Sequence, residues 1–541
     1  MTSIEPQVKR RVTQTEGASG PVAVQALIMA FGTMTSRLLG LAREILFASL
    51  FPRLITDSWY AAFRIPNVFR RLFGEGSLSV SFIPVFVDAH RDSHARAQNL
   101  VNSFYTLFLL LLATFTALGI FYAEPLFRLL LDREFIEVPG KFELAVRMGR
   151  IMFAYIFLVC TYAYEMAILN ALGRFGWAAM APTFFNLVMV AATLLPPHIL
   201  AWDGQALAWG VIAGGVVQAA VLLPSLIRLG YLPRFRFDWN NSDMWMVFRT
   251  MGPGLVGMSI LQVTTLVNMV FATSLGEGSL SYLNLADRLM ELPLSLVSVS
   301  IGSALLPTLA RLHAEKKEAQ ATTTMDQYFR LNLFMSFPAA VGLFALAHPI
   351  VELLFERGRF HPHETLIVAD VIRVYAVNLI FISVTRVFVQ SFYSIKNTWI
   401  PALASILGLV LHISMARLLM SWWGLRGLNI SSLASVMLNF SCLVVAYRFL
   451  IGQFPWHHSF RSLIRWIPSL IGLFATLQIY EVARRFLGDH FLAKCVSLFG
   501  IIGLGIGVYG LLCHFLRVSE FEYVFRTFRR KLEQKGILAK D

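Results

Sequence analysis

The chain has 541 residues, 57% of them hydrophobic and 14% charged, with a mean hydropathy of +0.64; this is far more apolar side chain than a soluble globule needs, and it argues against one. The formal net charge of +14 invites a nucleic-acid reading, but the basic residues cluster at segment ends and inside apolar segments. Membrane topology and anionic headgroups account for that pattern, so no nucleic-acid partner is expected.

In chain order, residues 1–24 are polar and basic (Lys9, Arg10, Arg11) and carry no cleavage site after a short apolar core; they read as a cytosolic tail. Apolar spans and breakers then place about fourteen helices. They begin near Ala23, Ser58, Leu100, Ala145, Trp177, Gln205, Thr250, Leu280, Tyr328, Glu364, Trp399, Leu428, Ser462 and Phe491. Stretches such as Ser103–Tyr122 and Cys495–Leu516 have almost no charge and, with their flanks, can cross roughly 30 Å of hydrocarbon. With the N-terminus inside, one set of connections is rich in arginine and lysine (Arg91/Arg96, Arg228/Arg234/Arg236, Arg311/Lys316/Lys317), as is the C-terminal tail; both termini are therefore expected in the cytosol.

Several features recur at a spacing of about 220 residues. Phe82-Ile83-Pro84-Val85 resembles Leu305-Leu306-Pro307-Thr308, Pro182 opening helix five has a counterpart in Pro401 opening helix eleven, and Gly204-Gln205-Ala206-Leu207 echoes Gly424 to Leu428. The shared offset predicts an all-α polytopic membrane protein of two six-helix lobes, residues 25–238 and 239–452, around a central cavity. Residues 453–541 supply two extra helices and a basic tail.

Three segments place charge inside these spans. In Ser36-Arg37-Leu38-Leu39-Gly40-Leu41-Ala42-Arg43-Glu44, positions 37, 40 and 44 share a helical face, and Gly40 would admit a close neighbour. Asp57 is followed by Arg64, Asn67, Arg70, Arg71 and Glu75, with Arg64, Asn67, Arg71 and Glu75 on one face and Pro66 loosening the helix. The third segment, Asp287-Arg288-Leu289-Met290-Glu291, stands in helix eight where Arg64 stands in helix two. A centrally placed arginine costs about 2.5–3.5 kcal/mol on insertion scales, so such residues face a bundle interior and pair with acids. Arg37, Arg43, Arg64, Arg70, Arg71 and Arg288 outnumber Glu44, Asp57, Glu75, Asp287 and Glu291, which predicts a cationic cavity. Converging guanidinium groups suit a pyrophosphate. The competing reading is closed ion pairs that lock helices, or snorkelling to the interface, and Arg37 with Glu44 could equally form a gate.

Other features carry less. His361-Pro362-His363-Glu364 has a metal-like composition but reads as a polar turn, and Arg373, Arg386 and His412 line the second lobe or make interhelical contacts. The four cysteines sit in apolar segments without ligand spacing, so neither a metal centre nor a disulfide framework is expected. Nucleotide-binding, hydrolase and metalloprotease motifs are missing from the sequence, which speaks against ATP-driven or hydrolytic chemistry.

The strings SRLLGLARE at 36–44, FRIPNVFRRLFGEGSLSVSFIPV at 63–85, APTFFN at 181–186 and ADRLMELP at 286–293 resemble the MurJ/MviN lipid II flippase family of the multidrug/oligosaccharidyl-lipid/polysaccharide exporter superfamily. The resemblance runs from about residue 25 to 516. It implies fourteen transmembrane helices, a cationic cavity that takes the pyrophosphate and sugar headgroup, functional weight on Arg37, Arg43, Arg70 and Arg288, and gating or activity roles for Asp57, Glu75, Asp287 and Glu291, with helices thirteen and fourteen guiding the polyprenyl tail. The spacing of the charged segments adds Arg64 and Asn67 as substrate-binding candidates and Glu44 and Arg71 as gating or ion-pairing ones. The implied activity is transfer of lipid II, an undecaprenyl-pyrophosphate-linked muropeptide, from the inner to the outer leaflet of the bacterial cytoplasmic membrane. No cofactor is expected; the membrane potential or an ion gradient would supply the energy, the protein would work as a monomer among membrane lipids, and cell-wall synthesis proteins are candidate partners. The alternatives are a flippase for another polyprenyl-linked glycan, such as an O-antigen unit, or an exporter of cationic drugs, for which the cationic cavity is unsuited. A membrane-embedded transferase would need a metal-binding acidic motif, and a scaffold would tolerate loss of the arginines.

Overall fold

The computed structural model describes residues 19–73, 78–196, 201–295 and 300–534, and among them the chain is all-α, with no strand. Nine helices among the described residues are long and apolar enough to cross a membrane. The helices that carry the three charged motifs, α1 (Ser19–Leu50), α2 (Arg53–Leu72) and the later Ser279–Leu294, are not among the nine. Apolarity criteria pass over a helix such as α2, where Arg53, Asp57, Arg64, Arg70 and Arg71 interrupt the apolar run.

Two compact units divide the chain, Met1–Gly278 and Ser279–Asp541. In the first, α1 and α2 are followed by α3 (Leu78–Asp92), α4 (His94–Phe121), the short α5 (Ala123–Leu130) and α6 (Arg133–Glu137), α7 (Lys141–Met152) and α8 (Ala154–Ala171). Next come α9 (Phe175–Leu194), α10 (Gln205–Ala220), α11 (Leu223–Leu229) and α12 (Ser242–Thr273). The principal packings are α1 on α9, α9 on α10, α2 on α7, and α8 against α3, α4 and α10. An aromatic cluster of Phe82, Phe104, Phe108 and Tyr164 fills the space among α3, α4 and α8, with ring centroids 5.0–5.5 Å apart for the contacts of Phe82 with Phe104 and Tyr164 and of Phe104 with Phe108.

The second unit comprises α13 (Ser279–Leu294), α14 (Ser300–Ala314), α15 (Glu318–Ala345), α16 (Ala347–Phe355), α17 (Pro362–Ser394), α18 (Trp399–Leu450), α19 (Trp456–Gln478), α20 (Tyr480–Leu487), α21 (Phe491–Phe515) and α22 (Ser519–Gln534). Every expected helix start falls inside a helix. The starts at Trp399 and Leu428 share the long run α18, which Gly424 breaks with φ 53° and ψ −131°. Only glycine takes that conformation without strain, and a Cβ at the nearby Gly427 would stand 2.0 Å from the Leu419 carbonyl oxygen. Gly204, before α10, also has a positive φ, 85°, but with ψ −3° it is left-handed helical, so the two glycines of the sequence repeat share a positive φ and make different turns. The helix pairs α2/α3 and α13/α14 also correspond, with Pro84 inside α3 and Pro307 inside α14.

Three expectations need correction or restriction. Pro182 does not open its helix: α9 starts at Phe175, so the proline lies two turns inside. The His361 to Glu364 string is a helix start instead of a free turn, because the Glu364 Oε2 accepts the His361 N–H at 2.7 Å and its Oε1 accepts the Tyr282 hydroxyl at 2.8 Å. Glu75 and residues 1–18 of the tail lie outside the described residues.

Two buried carboxylates fasten α19 to α22 to the rest of the second unit. Glu352 of α16 receives two bonds from Arg484 of α20, both at 2.9 Å, and one from Lys494 of α21 at 2.7 Å. Arg484 also bonds Asp489 at 2.7 Å and holds that exposed carboxyl below its usual range. Glu520 of α22 takes Arg330 of α15 at 2.6 Å, Ser462 of α19 at 2.9 Å and the Trp466 indole at 3.3 Å. Glu520→Ala would leave Arg330 with Asp326, at 3.1 Å, and would remove the acceptor shared by Ser462 and Trp466; it is expected to cost about 2 kcal/mol. Hydrogen exchange over 519–534 should accelerate with it; unchanged exchange there would remove the fastening role.

Candidate functional site

The first charged motif folds into a closed polar knot in the first unit. Arg43 is 6% exposed; its guanidinium donates to Glu44 and, at 3.3 Å, to the Asn186 Oδ1 of α9, and lies 5.7 Å from the Trp59 ring centre. The other Glu44 oxygen accepts the Tyr60 hydroxyl of α2. Asn186 completes the link by donating to the Ser36 carbonyl at 3.0 Å. Gly40 faces the Asn186 amide, but a Cβ there would stand 3.7 Å away in ordinary contact, so the approach does not depend on glycine. The knot forms because a buried guanidinium must satisfy its fork of donors, and the carboxylate, the amide oxygen and the aromatic face around Arg43 do so.

One turn into α2, Asp57 is 1% exposed and accepts Lys141 Nζ of α7 at 2.9 Å and the Gly278 N–H at 2.7 Å. The Lys141 ammonium also sits 4.5 Å from the Phe135 ring centre, and Ser58 donates to the Lys141 carbonyl at 3.1 Å. This buried ion pair ties α2 to α7. Further along, Arg64, Asn67, Arg70 and Arg71 are half-buried, and Arg70 Nε donates to the Asn67 Oδ1 at 2.9 Å. Arg37 of α1 is half-buried as well.

The helix has a second edge of opposite character. Ile65, Val68 and Phe69 line an apolar cavity of about 670 Å³ together with Phe115 and Leu118 of α4 and Leu266 of α12. Helix α2 thus carries cationic donors on one side and a hydrocarbon-compatible volume on another, which is chemistry for an amphiphile with an anionic head. In the second unit, Arg288 pairs with Glu291 at 3.2 Å on a partly exposed face of α13, and Asp287 beside it is half-buried.

The family model described as "Lipid II flippase MurJ" matches residues 46–495, which span α2 to the start of α21. The chain belongs to the MurJ family. A probable lipid II flippase MurJ of Bdellovibrio bacteriovorus is 44% identical over 508 residues, covering 94% of this chain and 97% of the relative. One from Vibrio cholerae is 31% identical over 505 residues, with 89% and 94% covered. Among solved structures, a lipid II flippase MurJ in an inward closed conformation superposes with a TM-score of 0.75 at 22% identity, covering 91% of this chain and 99% of that one. An inward-facing multidrug-resistance MATE transporter of the MOP superfamily gives 0.66 at 17% identity, with 79% and 98% covered. At those identities the structural likeness is one of fold, and the fold is that of polytopic helical transporters.

Sequence reasoning overlooked three side chains at or near this MurJ-family site. Lys141 and Asn186 supply the partners of Asp57 and Arg43, yet each stands about 84 and 143 positions away in the chain, so no local pattern could pair them. Glu165 is a single acid inside the apolar run of α8, and that isolation was itself a legible signal.

Proposed function

We propose that the chain is a lipid II flippase that carries the pyrophosphate-linked headgroup from the inner to the outer leaflet of the bacterial cytoplasmic membrane by alternating access, with both termini in the cytosol. The observation that carries this reading is the presence of arginines within the helices of a MurJ-family chain: Arg37, Arg43, Arg64, Arg70 and Arg71 in the first unit and Arg288 in the second. A pyrophosphate is the natural complement of several guanidinium forks, whereas a cationic drug is not. Arg70, half-buried beside Asn67, and Arg288, on a partly exposed face, are the headgroup ligands; Arg43, closed on Glu44 and Asn186, orients α1 against α9. The last two membrane helices, α19 and α21, guide the polyprenyl chain.

Net negative charge moving outward is favoured by an inside-negative potential at about 2.3 kcal/mol per charge per 100 mV, and the empty cationic site is drawn back by the same field. Collapsing the potential is expected to slow flipping; an unchanged rate would refute potential-driven transport. The decisive experiment is complementation of a flippase-depleted bacterium, with surface-exposed lipid II assayed. Wild type should rescue, and well-expressed Arg70→Ala and Arg288→Ala should fail with at least about tenfold less exposure, corresponding to about 1.4 kcal/mol per lost charged contact. Failure of a well-inserted wild type would indicate another polyprenyl-linked glycan, and rescue by both variants would make these arginines structural.

A further inference from the structure

Glu165 stands apart from every other acid in the first unit. It is 3% exposed, it lies in the apolar helix α8, and among the described residues its side chain makes no hydrogen bond or ion pair; its Oε2 is buried without a partner. Among the described residues of the first unit, every other buried acid has a donor: Glu44 has Arg43 and Tyr60, Asp57 has Lys141 and the Gly278 N–H, and Asp243 has Arg96 at 2.8 Å. A buried carboxylate without cation or donor is the costliest arrangement a helix bundle can hold, and the same group carrying a proton is neutral and tolerable.

The groups around it reinforce this. On its own helix, Tyr162 lies one turn away and donates to the Ala178 carbonyl at 3.1 Å, and Tyr164 donates to the Val101 carbonyl at 2.9 Å, so neither hydroxyl proton goes to Glu165. From α4 the titratable neighbour is Tyr105, stacked on Tyr164 at 5.8 Å. From α10 comes Gln218, 3% exposed, whose Oε1 is also buried and unpartnered; α9 and α10 carry no ionisable side chain. On α3 and the adjoining start of α4, His90 is bonded to Tyr231 at 2.6 Å and Arg96 to Asp243. On α2, Arg70 bonds Asn67 at 2.9 Å, and on α7 Lys141 is spent on Asp57.

We infer that Glu165 is a proton-binding site of the first unit, loaded when α8 is sealed as in this structure and discharged when the helix rearranges to admit water, so that proton occupancy is linked to the transport cycle. Loading adds one proton from water to a carboxylate oxygen and gives a neutral carboxyl; discharge returns it to water. The link to transport rests on the flippase reading, whereas the binding site itself does not.

The test uses the full-length protein reconstituted in liposomes. Infrared difference spectra between acid and alkaline pH should show a protonated-carboxyl band that persists at neutral pH, vanishes in Glu165→Gln and shifts in Glu165→Asp. Glu165→Gln, a mimic of the loaded form, should keep wild-type thermal stability and flatten the pH dependence of lipid II flipping at least severalfold. No such band in folded wild type, or a band indifferent to both substitutions, overturns the proton site whatever the transport assay shows. Stabilisation by sodium that needs Glu165, without the band, would overturn it in favour of a metal cation. If the band behaves as expected but no lipid II moves, the site stands and the flippase reading fails.

Discussion

Lys141→Met should destabilise the first unit by about 3–5 kcal/mol, because it takes the ammonium away from a carboxylate that stays buried. Both side chains are essentially sealed, at 2% and 1% exposure, so water cannot take the ammonium's place. The shape change is small, since methionine follows the lysine stem closely and can still pack beside Phe135. A loss of that size should therefore report charge rather than volume. The double variant Lys141→Met with Asp57→Asn removes both charges while keeping an amide oxygen for Gly278, and should recover most of the loss. Thermal unfolding of the purified variants, read as a double-mutant cycle, measures the coupling. A single-variant cost below about 1 kcal/mol, or a double variant no better than the single, would show that the pair does not tie α2 to α7.

Arg43→Ala is the second large effect, and it should appear in transport as well as stability. Truncating one partner of a buried, hydrogen-bonded charge pair costs about 2–5 kcal/mol, much of it from the carboxylate left behind. Here Glu44 would keep the Tyr60 hydroxyl but lose the Arg43 guanidinium, and the Asn186 Oδ1 would lose the Arg43 donor, so the contact between α1 and α9 would loosen. Surface exposure of lipid II should fall to background in the complementation assay. Arg43→Lys restores charge without the planar fork and should recover only part of the activity. Glu44→Gln separates orientation from charge: its one amide oxygen can still accept from Arg43, while its NH2 must donate to a reoriented Tyr60 hydroxyl, so folding should be preserved while flipping changes. Wild-type stability and flipping in Arg43→Ala would end the assignment.

Much of this protein was legible from the chain alone. Long apolar runs such as Ser103–Tyr122 can only be membrane helices, because every backbone amide in hydrocarbon must be bonded within its own segment; the starts and order of the helices follow from that. The positive-φ positions at Gly204 and Gly424 were marked by residue type, as was the charge carried by α1, α2 and α13. The position of Pro182 misled, since proline is tolerated inside a membrane helix and does not by itself mark a start.

Tertiary structure decided which charges are closed upon each other. Helical spacing put Arg37, Gly40 and Glu44 on one face, but only the packing of α1 on α9 brought Asn186 to Arg43, and only that of α2 on α7 brought Lys141 to Asp57. Periodicity reports the face on which a residue lies. It carries no information about the side chain that a distant helix will place opposite, and for a charge in low dielectric that partner determines whether the residue is a lock, a ligand or, as with Glu165, a group left to the proton.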